Sequence, residues 1–357
     1  MAEHNINYSK KITSLLDEMP DFVSDYIFNF GKSKNPATML QYSRDILDFL
    51  SFVAKELPHE DSKEVKDLTM VDISKLSSAD IERYLRNTGN TRDRRYTKNR
   101  SDILEISRIP MQHNVSTIRR LRATLSSMFG FFLANGKLSS NPVTATKPQR
   151  LPEKDLIYLT NAEQKRLLST VRTGDNLEGK AAALHERYVL RDLAMILLLL
   201  DTGLRVSEIL TTDIGDYDFD KCCVLIAKAG GKKHIVYFSD ECAMYLEDYF
   251  DSQKDIFGAD EYLPAFTTLK GERLGVRATQ NLVKKYAIAS LGNSKGRTIT
   301  PHKLRSSFAM SFYEASGKDI ALLQAKLHHR SMISTGVYAK ASPSKESETR
   351  NILLSFR

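Results

Sequence analysis

Three prolines in quick succession, Pro142, Pro148 and Pro152, divide this 357-residue chain into two halves that obey different rules. Proline fixes φ and lacks an N–H, so neither a helix nor a central strand runs through such a stretch. No apolar periodicity crosses it either, which is how an interdomain linker reads. Just beyond, Thr160 and Glu163 have the spacing of a capping box that opens a new helix. The length exceeds one typical domain. The expectation is an N-terminal domain over 1–145, a linker over 146–157 and a second domain over 158–357.

Before the linker, apolar residues recur at helical spacing. Ile118, Leu121, Leu125, Met128, Phe129 and Phe132 step by threes and fours and predict a helix from Thr117 to Ala134 with one apolar face. Arg119, Arg120 and Arg122 lie mostly off that face. An earlier helix is expected from about Pro36 to Leu57, with Met39, Ile46, Leu50, Val53 and Leu57 inward. Asn35 is its cap and Pro36 its first residue. A shorter helix near Ser78 to Arg86 completes an all-helical unit that starts at about residue 20. Between these helices Arg92, Arg94, Arg95, Lys98 and Arg100 surround Asp93 and Tyr96. A solvated loop explains such a run; so does contact with a nucleic-acid backbone.

After the linker the pattern is mixed. A helix over 187–200 ends at Thr202 and Gly203, where glycine permits the left-handed turn that stops a helix. Its segment Leu193 to Leu200 is apolar on every side and reads as a buried helix, being far shorter than the ~20 residues that span a bilayer. Another helix begins near Val206. Two strand-like runs, Cys222–Ala227 and His234–Phe238, flank Lys228 to Lys233, a glycine turn carrying Lys228, Lys232 and Lys233. Helices are expected near 240–252, 277–291, 302–316, 319–327 and 343–355. The fold class is mainly α with a small β-hairpin, an all-helical domain followed by an α+β domain.

Composition narrows the partners. Lys and Arg number 52 against 44 Asp and Glu, a formal net charge of +8 that suits a polyanion. Cys222, Cys223 and Cys242 lack both disulfide-framework and zinc-ligand spacing, and fit small buried residues in a reducing compartment. The N-terminus has no apolar signal core. A soluble cytoplasmic protein with no membrane partner and no cofactor is expected.

The chemistry-bearing residues cluster late in the chain. Breaking a phosphodiester without a metal needs fixed bidentate donors on the nonbridging oxygens, a proton for the leaving oxygen, and a covalent nucleophile if bond energy is to be kept for rejoining. His302 and Arg305 are three apart, just inside a helix begun by Thr300 and Pro301, so they share a face near an anion-favouring N-terminus. Arg205 follows the buried helix, with Glu208 one turn later. His328, His329 and Tyr338 follow. Singly, each has a bland reading: a salt bridge, a capped carbonyl, a packed ring.

Their order carries more. The segment 202–210, with Arg205, resembles the first arginine box of the tyrosine recombinases, the family of phage integrases and Xer-type resolvases. Residues 301–309 are similar to its His-x-x-Arg box, and 327–329 followed by Tyr338 resemble its second-histidine and nucleophile segment. The turn at Lys228 resembles the family's lysine-bearing β-turn, and the resemblance covers 160–357. It implies that Arg205 and Arg305 clamp the scissile phosphate and that His302 hydrogen-bonds it and joins in proton transfer. His329 would be the second histidine and Lys228 the general acid, with Lys232 in reserve because this hairpin is one residue longer than usual. Tyr338 would form a 3′-phosphotyrosyl intermediate. His328 stands where the family usually has glycine.

The resemblance further implies a helical core-binding, SAM-like N-terminal domain that clamps duplex DNA together with the catalytic domain. Arg92, Arg94, Arg95, Lys98, Arg100, Arg119, Lys232 and Lys233 are the expected DNA contacts. A short inverted-repeat core site, a homodimer on each site, a homotetramer in synapsis, a Holliday junction and a docking helix at 343–357 are implied as well. An Xer-like resolvase is the leading expectation. A mobile-element integrase, a DNA-binding protein without catalysis and a type IB topoisomerase are the alternatives.

Overall fold

The computed structural model describes residues 2–31, 35–56, 63–87, 115–150, 155–227, 233–258, 260–327 and 332–341. The chain forms two compact units, Met1–Glu153 and Lys154–Arg357.

The first unit is all helical among the described residues: α1 (Ala2–Leu16), α2 (Asp21–Gly31), α3 (Pro36–Glu56), α4 (Met70–Ser74), α5 (Ser78–Asn87) and α6 (Val115–Ala134). Asn35 caps α3 as expected, its Oδ1 accepting from the Thr38 N–H at 2.8 Å. The faces of α3 and α6 meet in one core. Leu121, Leu125, Met128, Phe129 and Phe132 of α6 are buried there with Leu40, Ile46, Phe49, Leu50 and Val53 of α3. Each such side chain is worth about 1.5–3 kcal/mol when fully buried. Leu40 and Phe49 replace Met39 in the expected inward set, Met39 being only partly buried. Helix α1 precedes the unit's expected start near residue 20, and its Ile12 is buried. Two of the off-face arginines tie the unit together. Arg120 pairs with the buried Asp45 of α3, and Arg122 donates to Thr146 Oγ1 at 2.9 Å and to the Val143 carbonyl at 3.1 Å.

The second unit packs helices round a buried one. It runs α7 (Asn161–Thr173), α8 (Gly179–Ala183), α9 (His185–Thr202), α10 (Val206–Ile209), β1 (Tyr217–Asp218), β2 (Cys223–Ala227), β3 (Lys233–Tyr237), α11 (Asp240–Phe257), α12 (Val276–Gly296), α13 (Pro301–Ala315), α14 (Ile320–Leu327) and α15 (Met332–Ala341). Thr160 and Glu163 close the capping box in both directions. Leu193 to Leu200 of α9 are all buried, so the helix that is apolar all round is the centre of the core, packed by α7, α11 and α13. The sheet is antiparallel in the order β1-β2-β3, with Leu225 opposite Ile235. The fold is thus mainly helical with one small sheet.

One buried charge fixes α9 against α12. Asp192, with no exposed surface, accepts from Arg191 at 2.7 Å, from Lys285 Nζ at 3.0 Å and from the Tyr286 hydroxyl at 3.0 Å. Removing that carboxylate while leaving its cations would cost about 3–5 kcal/mol.

Candidate active site

The turn after α9 places Arg205. Gly203 has φ +61°, the left-handed region, and a side-chain carbon there would run into the Phe308 ring of α13. Only glycine lets the chain leave α9 this close to α13. Arg205 is then the cap residue of α10. Its N–H donates to Glu208 Oε2 at 2.7 Å, and its Nη1 to Glu208 Oε1 at 2.9 Å. Glu208 therefore orients an arginine whose side chain stays half exposed.

Helix α13 supplies the next groups. Thr300 stands at its cap position and Pro301 at its first turn, but the Thr300 side chain makes no capping bond. Arg305 is 4% exposed, and it spans the unit: Nη1 donates to the Gly203 carbonyl at 2.5 Å and Nη2 to the Leu327 carbonyl at 2.6 Å. Those bonds tie the Arg205 turn and the end of α14 to one guanidinium. They use two of five N–H donors, leaving three for a ligand. Burial, then the nearby Arg205 charge, pulls Arg305 below its ordinary value, while Glu208 and Tyr338 oppose that pull.

His302 faces solvent in the first turn of α13. Partial desolvation, then the charges of Lys303, Arg305 and Arg205, holds its imidazole below the usual range. The neutral ring, able to accept a proton, is the favoured form at neutral pH. Tyr338, on α15, is 4% exposed and packs with Phe308, Met310, Tyr313, Leu323 and Leu327. Burial raises its phenol above the ordinary value; a Ser306 hydrogen bond and the Arg305 charge act against that.

Of the sequence-predicted residues, Arg205, His302 and Arg305 thus come within electrostatic reach of one another, and Arg305 also acts on Tyr338 of α15. Two like charges held together in a partly desolvated place favour an anion between them. Lys228, Lys232, His328 and His329 lie outside the described residues, as do Arg92, Arg94, Arg95, Lys98, Arg100 and the 343–357 segment. Lys233 opens β3, exposed, opposite Ala227. Arg119 is exposed on α6 and lines a groove with Arg86, Arg122 and Lys147. Among the described residues no group of three His, Cys, Asp or Glu could hold a metal, and no helix is long and apolar enough to cross a membrane.

Residues 158–345 match the family model described as the phage integrase family, more than half of the chain. The chain belongs to the phage integrase family. It is a tyrosine recombinase, an enzyme of site-specific DNA recombination. It is similar to the tyrosine recombinase XerC of Chlorobaculum tepidum, 25% identical over 329 residues that cover 89% of each chain. Its fold is similar to that of the Tn1549 transposon integrase in complex with circular intermediate DNA, with TM-score 0.62, 16% identity and coverage of 93% and 98%. The XerH recombinase bound to its difH substrate is similar too, with TM-score 0.60, 18% identity and coverage of 89% and 80%.

Two features of the recombinase's site were not read from the sequence. The carbonyls of Gly203 and Leu327 hold Arg305, and backbone acceptors leave no residue-type signal. The helix α15 that carries Tyr338 was not expected, its apolar residues being too few to show a period.

Proposed function

We propose that this recombinase is an Xer-like resolvase that acts in the cytoplasm on chromosome or plasmid dimers. It cleaves and rejoins duplex DNA at a short inverted-repeat core site, as a homodimer on each site and a homotetramer in synapsis. The observation that carries the chemistry is the grouping of the Arg205 charge, His302 and the buried Arg305, with Arg305 acting in turn on the buried Tyr338. The XerC relatives, matched along most of both chains, favour the resolvase. The likeness to a transposon integrase keeps integration of a mobile element as the second reading.

In this reading Arg205 and Arg305 hold the nonbridging oxygens of the scissile phosphate, Arg305 with the donors its backbone bonds leave free. Tyr338 Oη attacks phosphorus, the bond to the 5′ oxygen breaks, and a 3′-phosphotyrosyl link conserves the bond energy. His302, neutral because its pKa is lowered, takes the phenol proton. Lys228, or Lys232 in its place, protonates the 5′ oxygen, and His329 adds a hydrogen bond to the phosphate. Reversal with the 5′ hydroxyl of the other duplex yields a Holliday junction and then the product. The segment 343–357 docks on a neighbouring protomer. Arg92, Arg94, Arg95, Lys98, Arg100, Arg119 and Lys233 serve backbone contacts.

Covalent trapping tests this. Wild-type protein and Tyr338→Phe are incubated with fragmented genomic DNA, quenched under denaturing conditions, and adducted fragments are sequenced. Tyr338-dependent adducts at one chromosomal inverted repeat are the expected result. Adducts at element ends would establish the integrase reading instead. Demonstrated DNA binding with no Tyr338-dependent adduct would refute the mechanism.

A further inference from the structure

The chain enters the second unit at Lys154, and residues 155–160 lead to α7 without forming helix or strand. A stretch with no ladder of its own must satisfy its backbone groups elsewhere, and here they reach α13. The Leu159 N–H donates to Ser307 Oγ at 2.8 Å, and that hydroxyl donates in turn to the Lys303 carbonyl at 2.8 Å. The Leu159 carbonyl accepts from Gln164 Nε2 at 3.0 Å, and Gln164 also donates to Ser311 Oγ at 3.1 Å, one turn beyond Ser307. Ser307 has no exposed surface, so the bridge is closed to solvent. The side chains of the same stretch reach two apolar clusters. Leu159 lies in the main core with Leu204, next to Arg205, and with Leu304, next to Arg305. Leu156 and Tyr158 pack against the second cluster, which contains Phe308, Met310 and Tyr338.

We propose that residues 156–159 are a positioning segment anchored by Ser307: they set the start of α13, which carries His302 and Arg305, against the cluster that holds Tyr338. This deepens the proposed function and rests on Tyr338 being the attacking group. The Ser307 hydroxyl joins the segment to Lys303, between His302 and Arg305, while Tyr158 joins it to the surroundings of the nucleophile. Close-packed interiors pass a displacement on rather than absorb it. Loss of either attachment therefore shifts the phosphate-binding groups relative to the phenol, and attack on phosphorus tolerates such misplacement poorly. Both residues act through α13 and the Tyr338 cluster, and no bond to either forms or breaks in the reaction.

The test is single-turnover cleavage of a nicked duplex carrying the site recovered by Tyr338-dependent trapping, with the full-length protein in excess. Wild type, Ser307→Ala, Ser307→Thr, Tyr158→Ala and the double variant carrying both alanines are compared for duplex affinity, rate constant and amplitude. The amplitude counts the complexes able to cleave, whereas the rate constant reports the geometry within them. Both alanine variants are expected to bind the duplex as wild type does and to cleave about 10- to 100-fold more slowly. Threonine, which keeps the hydroxyl, should restore the rate. The double variant should be slowed by less than the product of the two single effects, because one segment carries both attachments. Rate constants equal to wild type overturn the inference whatever the amplitude, since a lower amplitude alone is the signature of lost stability. So does a threonine variant as slow as alanine, or a double variant slowed by the full product. Absence of any wild-type adduct is a different failure, of Tyr338 as nucleophile.

Discussion

Arg305 is a structural residue that the proposed mechanism also uses. Its bonds to the Gly203 and Leu327 carbonyls brace two turns and use two of its five N–H groups. Lysine has the charge without the fork. Arg305→Lys is therefore expected to lose about 10²- to 10³-fold in single-turnover cleavage while retaining most of its DNA affinity in a filter-binding titration. An unchanged cleavage rate would remove Arg305 from the clamp. His302 gives a pH prediction. Its folded-state pKa lies below the ordinary 6.5. The unfolded chain therefore binds the extra proton more readily, and stability falls as pH drops from 6.5 through the folded value. Urea midpoints measured across that window should fall less steeply for His302→Gln than for wild type. Parallel curves would mean that the cationic surroundings do not act on the ring.

Among elements, the close approach of α9 and α13 decides the site. The Gly203 turn must adopt positive φ and must also clear Phe308. Gly203→Ala meets both obstacles, and about 1–3 kcal/mol of lost stability in urea unfolding is expected. Cleavage should fall further than that loss explains, because Arg205 and the carbonyl that holds Arg305 both move with the turn. Full activity in this variant would show that the turn has more freedom than its packing suggests. Helix positions were largely legible beforehand: α3, α6, α9 and α13 begin and end within two residues of expectation, set by Pro36, Pro301, Gly203 and strong apolar stripes. Helix α15 was not, since short helices depend on tertiary packing more than on any pattern of their own.

At the scale of the whole molecule the charge balance becomes decisive. A chain of net charge +8 that grips a phosphate backbone releases counterions when it binds. Affinity for the trapped site should accordingly fall by roughly 10³-fold or more between 50 mM and 200 mM salt. A flat salt dependence in a binding titration would contradict extensive phosphate contact. The mainly helical fold with one small sheet was readable from apolar spacing and from the two strand-like runs. Residue chemistry, periodicity and chain punctuation are local, so the linear chain determines them. What only the tertiary structure decided is the company each group keeps. The burial of Tyr338, the two backbone carbonyls on Arg305 and the Arg205 charge beside it join segments far apart in the chain, 102 residues in the case of Gly203 and Arg305. Such contacts arise because α13 packs on α9 along one side and on α14 and α15 along another, and no spacing along the chain encodes them.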